Sequence, residues 1–258
     1  MPLLIDRSNN NGADNYAAAK NAGVTHAYFK ATDGTDFVDS TFLTRRAEAH
    51  AAGIVAGGYH FAEHGDPIAE ANHFLSVVGH PRAGQLRPCL DLESGEDEAW
   101  TAAFVSHLKT ELGYWPVLYG NTSTIPALRS ASASIKACPW WRAEYGPNDG
   151  TRHPLQGGDQ GASAHQYTSV AHIAGISGNT DASVFLEPVA VMLVPTPAKK
   201  AKKWAKPDHY EVHYTDVFGD AQVVKTKHPG LWEHRHPLAR RRSHTGLAGV
   251  HVIPKFKP

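Results

Sequence analysis

The segment Pro88-Cys89-Leu90-Asp91-Leu92-Glu93 ends an apolar run with two carboxylates spaced two residues apart. Successive side chains of an extended strand alternate between faces, so Asp91 and Glu93 point to the same side. Two acids in one partly dry cleft resist ionising together, and one then keeps its proton near neutral pH while the other stays charged. Glycoside cleavage needs that division of labour: an acid to protonate the leaving oxygen, and a base or stabiliser for the cationic sugar. Asp-x-Glu at a strand end is equally a metal-ligand set or a solvated loop, so the reading depends on further acids reaching the same place. Two do. Asp6 closes the apolar run Leu3-Leu4-Ile5, and Asp181 follows Gly178-Asn179-Thr180 near the end of the last repeating unit. In a closed barrel the first and last strands are neighbours, which would bring both to the rim that carries Asp91 and Glu93.

The elements that must position these acids are visible as apolar runs alternating with helical stretches. Strands are expected at Leu3–Asp6, His26–Ala31, Ile54–Phe61, Pro88–Glu93, Pro116–Tyr119, Trp140–Tyr145 and Ala164–Thr168. Helices are expected at Tyr16–Asn21, Thr41–Ala52, Ile68–Val78, Ala99–Leu112 and Ile125–Ser130, with Gly23, Gly53 and Gly113 where helices would end. This alternation is that of repeated βα units and implies an α/β fold with a parallel sheet, closed into a barrel. The competing open doubly wound sheet loses ground because no glycine-rich phosphate loop follows the first strand.

The chain has 258 residues, 41% of them hydrophobic and 19% charged, enough for one large α/β domain and a small appendage. No apolar run is long enough to cross a bilayer, so membrane insertion is not expected. Met1–Arg7 reads as a strand rather than a basic, apolar leader, which leads to the expectation of cytoplasmic synthesis without a cleaved signal. Cys89 and Cys138 lack any ligand or redox spacing. With no His-Glu-x-x-His and no paired cysteines, neither a metal nor a cofactor is expected at the site.

The net charge of zero hides a split: residues 1–198 carry 12 Lys and Arg against 20 Asp and Glu, and residues 199–258 carry 13 against 5. Three parts are expected: a catalytic region over 1–193, a Pro/Lys-rich linker over 194–206, and a small basic, β-rich region over 207–258. In that last region His209–Tyr214 and Gln222–Thr226 read as a hairpin turning at Gly219–Asp220, with a short strand at Gly249–Ile253. His228, His234, His236 and His244 are dense enough for adventitious zinc, and Arg240-Arg241-Arg242 suits a polyanion.

In this order and at these spacings the motifs resemble the glycoside hydrolase family 25 lysozymes, over about residues 3–186. The resemblance is carried by Asp6-Arg7-Ser8, by Phe29-Lys30-Ala31-Thr32-Asp33-Gly34-Thr35 with Asp39 and Phe42, and by Ala52-Gly53-Ile54 leading to Gly58-Tyr59-His60-Phe61. It continues through Leu90-Asp91-Leu92-Glu93, Trp141-Arg142-Ala143-Glu144-Tyr145, and the stretch from Gln166-Tyr167-Thr168-Ser169 to Gly175-Ile176-Ser177-Gly178-Asn179-Thr180-Asp181. It implies a flattened TIM-like (β/α) barrel that cleaves the β-1,4 bond between N-acetylmuramic acid and N-acetylglucosamine, with retention of configuration. Carried onto this chain, it makes Glu93 the proton donor and Asp91, Asp6 and Asp181 the other acids. Two roles stay open for Asp91: stabilising the oxocarbenium charge, or orienting the substrate's acetamido group as an internal nucleophile. Two positions depart from the family pattern. Asp33 stands where Glu is usual, and Arg7 where a small apolar residue is commoner.

Aromatic faces stack on pyranose rings, and Tyr59, Tyr119, Trp141, Tyr145 and Tyr167 all fall near strand ends, although the same residues commonly fill barrel cores. Tyr59, Trp141 and Gln166 are the foremost expected sugar contacts, followed by Tyr119, Tyr145 and Asp33. Lys30 is expected to pair with a carboxylate rather than to catalyse. The expected partners are peptidoglycan strands and, through the basic region, anionic wall polymers rather than nucleic acid, with action at the bacterial cell wall. The rivals are a non-catalytic wall-binding or virion protein on this scaffold, against which the intact acid set speaks, and another barrel glycosidase such as a chitinase, whose spaced upstream aspartates are missing.

Overall fold

The computed structural model describes residues 2–196, 209–215, 221–226 and 251–255, in two compact units, Met1–Pro197 and Ala198–Pro258. The first unit runs β1 (Leu3–Arg7), α1 (Tyr16–Asn21), β2 (Val24–Asp33), β3 (Phe37–Val38), α2 (Phe42–Ala51), β4 (Val55–Phe61), α3 (Pro67–Val78) and β5 (Cys89–Asp91). It continues with α4 (Glu98–Leu112), β6 (Val117–Asn121), α5 (Ile125–Ala131), α6 (Ala133–Lys136), β7 (Trp140–Ala143), β8 (Ala164–Ala171) and β9 (Thr180–Phe185). Its sheet is ordered β1-β9-β8-β7-β6-β5-β4-β2 and closes on itself through β1 and β2, with the short β3 added at the end of β2. The expected barrel is therefore present.

It is not wholly parallel, however. β9, which the sequence does not announce, runs antiparallel to both β1 and β8. Its Asp-Ala-Ser centre has little β-branched or aromatic character, so propensity alone would not select it. The reversal matters for function. Asp181 lies at the beginning of β9, not after the end of a strand, and the antiparallel direction brings that beginning to the same rim as the C-terminal ends of the other strands.

Alternation along the strands builds the barrel interior in layers. Leu4, Tyr28, Cys89, Val117, Trp141 and Ala164 form part of one buried cluster inside the barrel. Two residues further along β1, β2, β5, β6 and β8, on the same face, stand Asp6, Lys30, Asp91, Tyr119 and Gln166. An apolar layer thus floors a polar one. The other faces of the strands pack on the helices through Ile5, Ala27, Phe29, Leu90, Leu118 and Trp140, against Phe42, Phe74, Phe104 and Leu108. β4 can thread between these layers because it is narrow: a Cβ at Gly57 would lie 2.7 Å from the Leu86 side chain, and one at Gly58 2.7 Å from Val78.

Helix ends follow sequence chemistry. Asn15, Asp66 and Asp97 cap the first turns of α1, α3 and α4 through their side chains, and Gly113 ends α4 in the left-handed region at φ 82°. Behind β4 the buried His60 bridges two elements. Its Nδ1 lies 2.8 Å from Thr32 Oγ1 and its Nε2 2.9 Å from the Glu70 carboxylate, an arrangement that suits the tautomer with the proton on Nε2. Burial lowers the His60 pKa and so favours the neutral ring, while the Glu70 carboxylate acts in the opposite direction. Burial alone would raise the Glu70 carboxyl, yet His60 and the amides of Glu63 and Gly65 outweigh it and hold the group below its ordinary value.

Val194, placed in the linker by composition, is 6% exposed, and its backbone bonds Gly84 and Gln85, so the barrel unit holds it. The second unit contains β10 (His209–Thr215), β11 (Ala221–Thr226) and β12 (His251–Lys255) in an antiparallel sheet ordered β11-β10-β12. The turn at Gly219–Asp220, the four tail histidines and Arg240–Arg242 lie outside the described residues.

Candidate active site

Asp6, Asp91, Glu93 and Asp181 line one cleft, together with Ser8, Asn10, Lys30, Tyr59, Phe61, Cys89, Tyr119, Trp141, Tyr145 and Gln166. Its volume of about 270 Å³ is near the lower end for small-molecule sites, roughly 300–1,000 Å³. Asp6 and Asp181 are direct cross-strand partners between β1 and β9, a relation that leaves Cβ atoms roughly 5 Å apart. Asp91 stands on β5 with Glu93 just beyond it, so the acids come from three strands that are distant in sequence.

Their surroundings differ. Asp91 is 7% exposed, and its Oδ1 has no hydrogen-bond partner among the described residues. Burial raises its pKa well above the usual carboxylate range, and the charges of Glu93 and Asp6 add to the rise. Asp6, half-buried, is raised well above 3.8 by burial and then by Asp181, against a lowering contribution from Gln166. Asp181 is raised by burial, with Arg7 opposing. Glu93 is the most open of the four, and is raised by the protein mass around it and then by Asp181. Burial and mutual repulsion push all four acids toward keeping their protons, the direction that a proton donor needs.

Gln166 occupies the cleft wall differently from expectation. It is 1% exposed, its Oε1 accepts the hydroxyls of both Tyr119 and Tyr145 at 2.6 Å, and its Nε2 donates to Asp6 at 2.8 Å. The amide therefore holds Asp6 in place and has little left for a ligand. Gln166→Leu would leave the Tyr119 hydroxyl buried without its acceptor, and the expected loss of stability is about 1–3 kcal/mol by chemical denaturation.

Trp141 lies in the floor, 2% exposed, stacked on Tyr28 and edge-on to Tyr119, with its indole N–H donated to Ser183 at 3.0 Å. Tyr59 and Tyr145 are half-buried on the walls and present more surface. Tyr167 lies outside the cleft lining, against His165. Asp33 also falls outside the lining; it pairs with Lys30, whose ammonium sits over the Phe37 and Phe61 rings. The shorter side chain at position 33 thus serves Lys30, which meets the expected carboxylate. Ser8, Asn10, Phe61 and Cys89 were not singled out from sequence as lining residues. For two of them the signal is in the sequence, since Phe61 and Cys89 lie two residues from Tyr59 and Asp91 on the same strand face, whereas Ser8 lies one residue beyond β1.

The sequence profile of the Glycosyl hydrolases family 25 matches residues 5–176. Lysozyme M1 of Streptomyces globisporus is 28% identical over 200 residues, a match covering 70% of this chain and 66% of that protein. The autolytic lysozyme of Clostridium acetobutylicum is 28% identical over 199 residues, covering 72% of this chain and 56% of that protein. The chain thus spans between about half and two thirds of these relatives. Among solved structures, the bacterial lysozyme from Streptomyces coelicolor superposes with a TM-score of 0.65 at 26% identity, covering 74% of this chain and 94% of that one.

Proposed function

The chain belongs to the glycosyl hydrolases family 25, and from that premise we propose that it is a peptidoglycan hydrolase, an N-acetylmuramidase that cleaves the β-1,4 bond between N-acetylmuramic acid and N-acetylglucosamine. One observation carries the reading: Asp6, Asp91, Glu93 and Asp181 surround a single cleft, and every one of them is held above its ordinary pKa. Glu93, the most open of these acids, is the proton donor. Its proton passes to the glycosidic oxygen, the bond from that oxygen to the anomeric carbon breaks, and the sugar takes on oxocarbenium charge. Asp91 lies beneath and meets that charge as a carboxylate, or holds the acetamido oxygen for internal attack. Tyr59 and Tyr145 supply the aromatic and hydroxyl surface against which the ring is held.

The acidic barrel and basic C-terminal region divide the labour further. Residues 207–258 hold the enzyme on anionic polymers of the bacterial wall, and tethering raises the local concentration of glycan at the cleft. Turbidity of purified cell walls, set beside purified chitin, tests the reading. Walls are expected to clear while chitin stays intact. Clearing of chitin at a comparable rate, or of neither substrate, would contradict it.

A further inference from the structure

Arg7 departs from the family pattern, and the structure gives it a definite place. It follows Asp6 on β1, so it points away from the cleft, and it is 1% exposed. Its Nε and Nη2 donate to the two oxygens of Asp14 at 3.1 and 2.8 Å. Nη2 also donates to the Ser177 carbonyl at 2.9 Å, and Nη1 to the Asn179 carbonyl at 3.2 Å. Asp14 in turn accepts from the Ser177 amide, from Arg45 and from the Tyr16 hydroxyl. Arg45 ties the opposite side through the carbonyls of Asn11 and Gly12. The segment that enters β9 is thereby fastened to the end of β1 immediately before Asp181.

We propose that Arg7 is a positioning residue: its buried, forked guanidinium holds the 177–179 backbone against β1 and so fixes Asp181 opposite Asp6. The proposal deepens the muramidase reading and rests on it for its catalytic consequence. A small apolar residue at this position would offer no donors to those two carbonyls. Charge follows from the same geometry. Arg7, Arg45 and Asp14 together leave one positive charge buried behind the rim, and Arg7 lowers the pKa of both Asp6 and Asp181 against the burial that raises them. On the cleft side the pair faces Glu93, Asp91, Tyr59, Tyr119, Tyr145 and Gln166, and Lys30, paired with Asp33, is the one positive charge among the lining residues.

Two variants separate fastening from charge. Arg7→Met removes both, whereas Arg7→Lys keeps the charge but loses the fork. Arg7→Met is expected to lower kcat roughly ten- to a hundredfold with little change in KM, the scale set by slight misplacement of reacting groups. Loss of a positive charge raises nearby carboxylate pKa values, so the acidic limb of its pH profile moves to higher pH. Arg7→Lys is expected to lose kcat while that limb stays in place. Carboxylate NMR of the ¹³C-labelled aspartates follows Asp6 and Asp181 without any need for turnover, with upward titration in Arg7→Met and parental titration in Arg7→Lys. A folded Arg7→Met protein with parental kcat, limb and titration overturns the proposal; if Arg7→Met does not fold, parental kcat in Arg7→Lys does the same. A parent that cuts no wall material, yet whose Asp181 titration still shifts in Arg7→Met, leaves the placement of Asp181 intact and removes the muramidase reading alone.

Discussion

Glu93→Gln is expected to reduce wall cleavage by about a thousandfold, within the roughly 10²–10⁴ that positioned proton transfer contributes. The amide keeps the size and shape of the side chain but has no proton to give to a leaving oxygen. Glu93 stands open to the cleft and makes no side-chain hydrogen bond among the described residues, so little of the fold depends on it. The variant should accordingly melt within a degree or two of the parent and retain its affinity for insoluble wall. Pelleting with purified peptidoglycan, beside a turbidity assay, separates binding from cleavage. A Glu93→Gln protein that clears walls at a rate comparable to the parent would move the proton donor elsewhere.

Asp91→Asn is expected to lose activity and gain stability together. The carboxylate is 7% exposed with one oxygen lacking a hydrogen-bond partner among the described residues, and the nearby acids Glu93 and Asp6 add repulsion to the cost of burial. Removing a stabiliser aimed at developing charge costs roughly 10²–10³ in rate. The stability argument has a definite sign. A folded pKa raised above the unfolded value favours the folded state at low pH, and that advantage is lost as pH rises from about 3.8 through the raised folded pKa. Asparagine never ionises and escapes the loss. At pH 7 the variant should therefore be more stable, on the order of 1–2 kcal/mol as is common when a strained functional group is relieved. The difference should close only below about pH 3, under the unfolded value of 3.8, where the parent's Asp91 is protonated in both states. Equal melting of the two proteins at pH 7 would show that Asp91 is not a strained charge.

Much of this site could be read before any coordinates, for a physical reason: the two-residue period of a strand is strict. It put Asp91 and Glu93 on one face, and the same period carries from Leu4 to Asp6 and from Cys89 to Asp91, floor to rim. The glycine ends at Gly23, Gly53 and Gly113 were equally legible, and all three have positive φ. What escaped depends on partners far away in sequence. β9 has weak strand propensity and forms because β1 and β8 offer it backbone bonds on both sides; its direction, and hence the route of Asp181 to the rim, is a property of the closed sheet. Gln166 lines the cleft, as its motif position suggests, but the sequence could not show that Tyr119, Tyr145 and Asp6 already use its amide. Asp33 looked like a cleft residue by motif position, yet Lys30 claims it. Arg7 could only be marked as unusual, since Ser177 and Asn179, the carbonyls it holds, lie some 170 positions away.

Mass spectrometry of the soluble fragments released from purified peptidoglycan tests the central claim most directly, because it identifies the bond that is cut. Cleavage driven by Glu93 in this cleft predicts fragments ending in reducing N-acetylmuramic acid, present with the parent and missing with Glu93→Gln. Fragments ending in reducing N-acetylglucosamine, or only peptide release with the glycan intact, would contradict it.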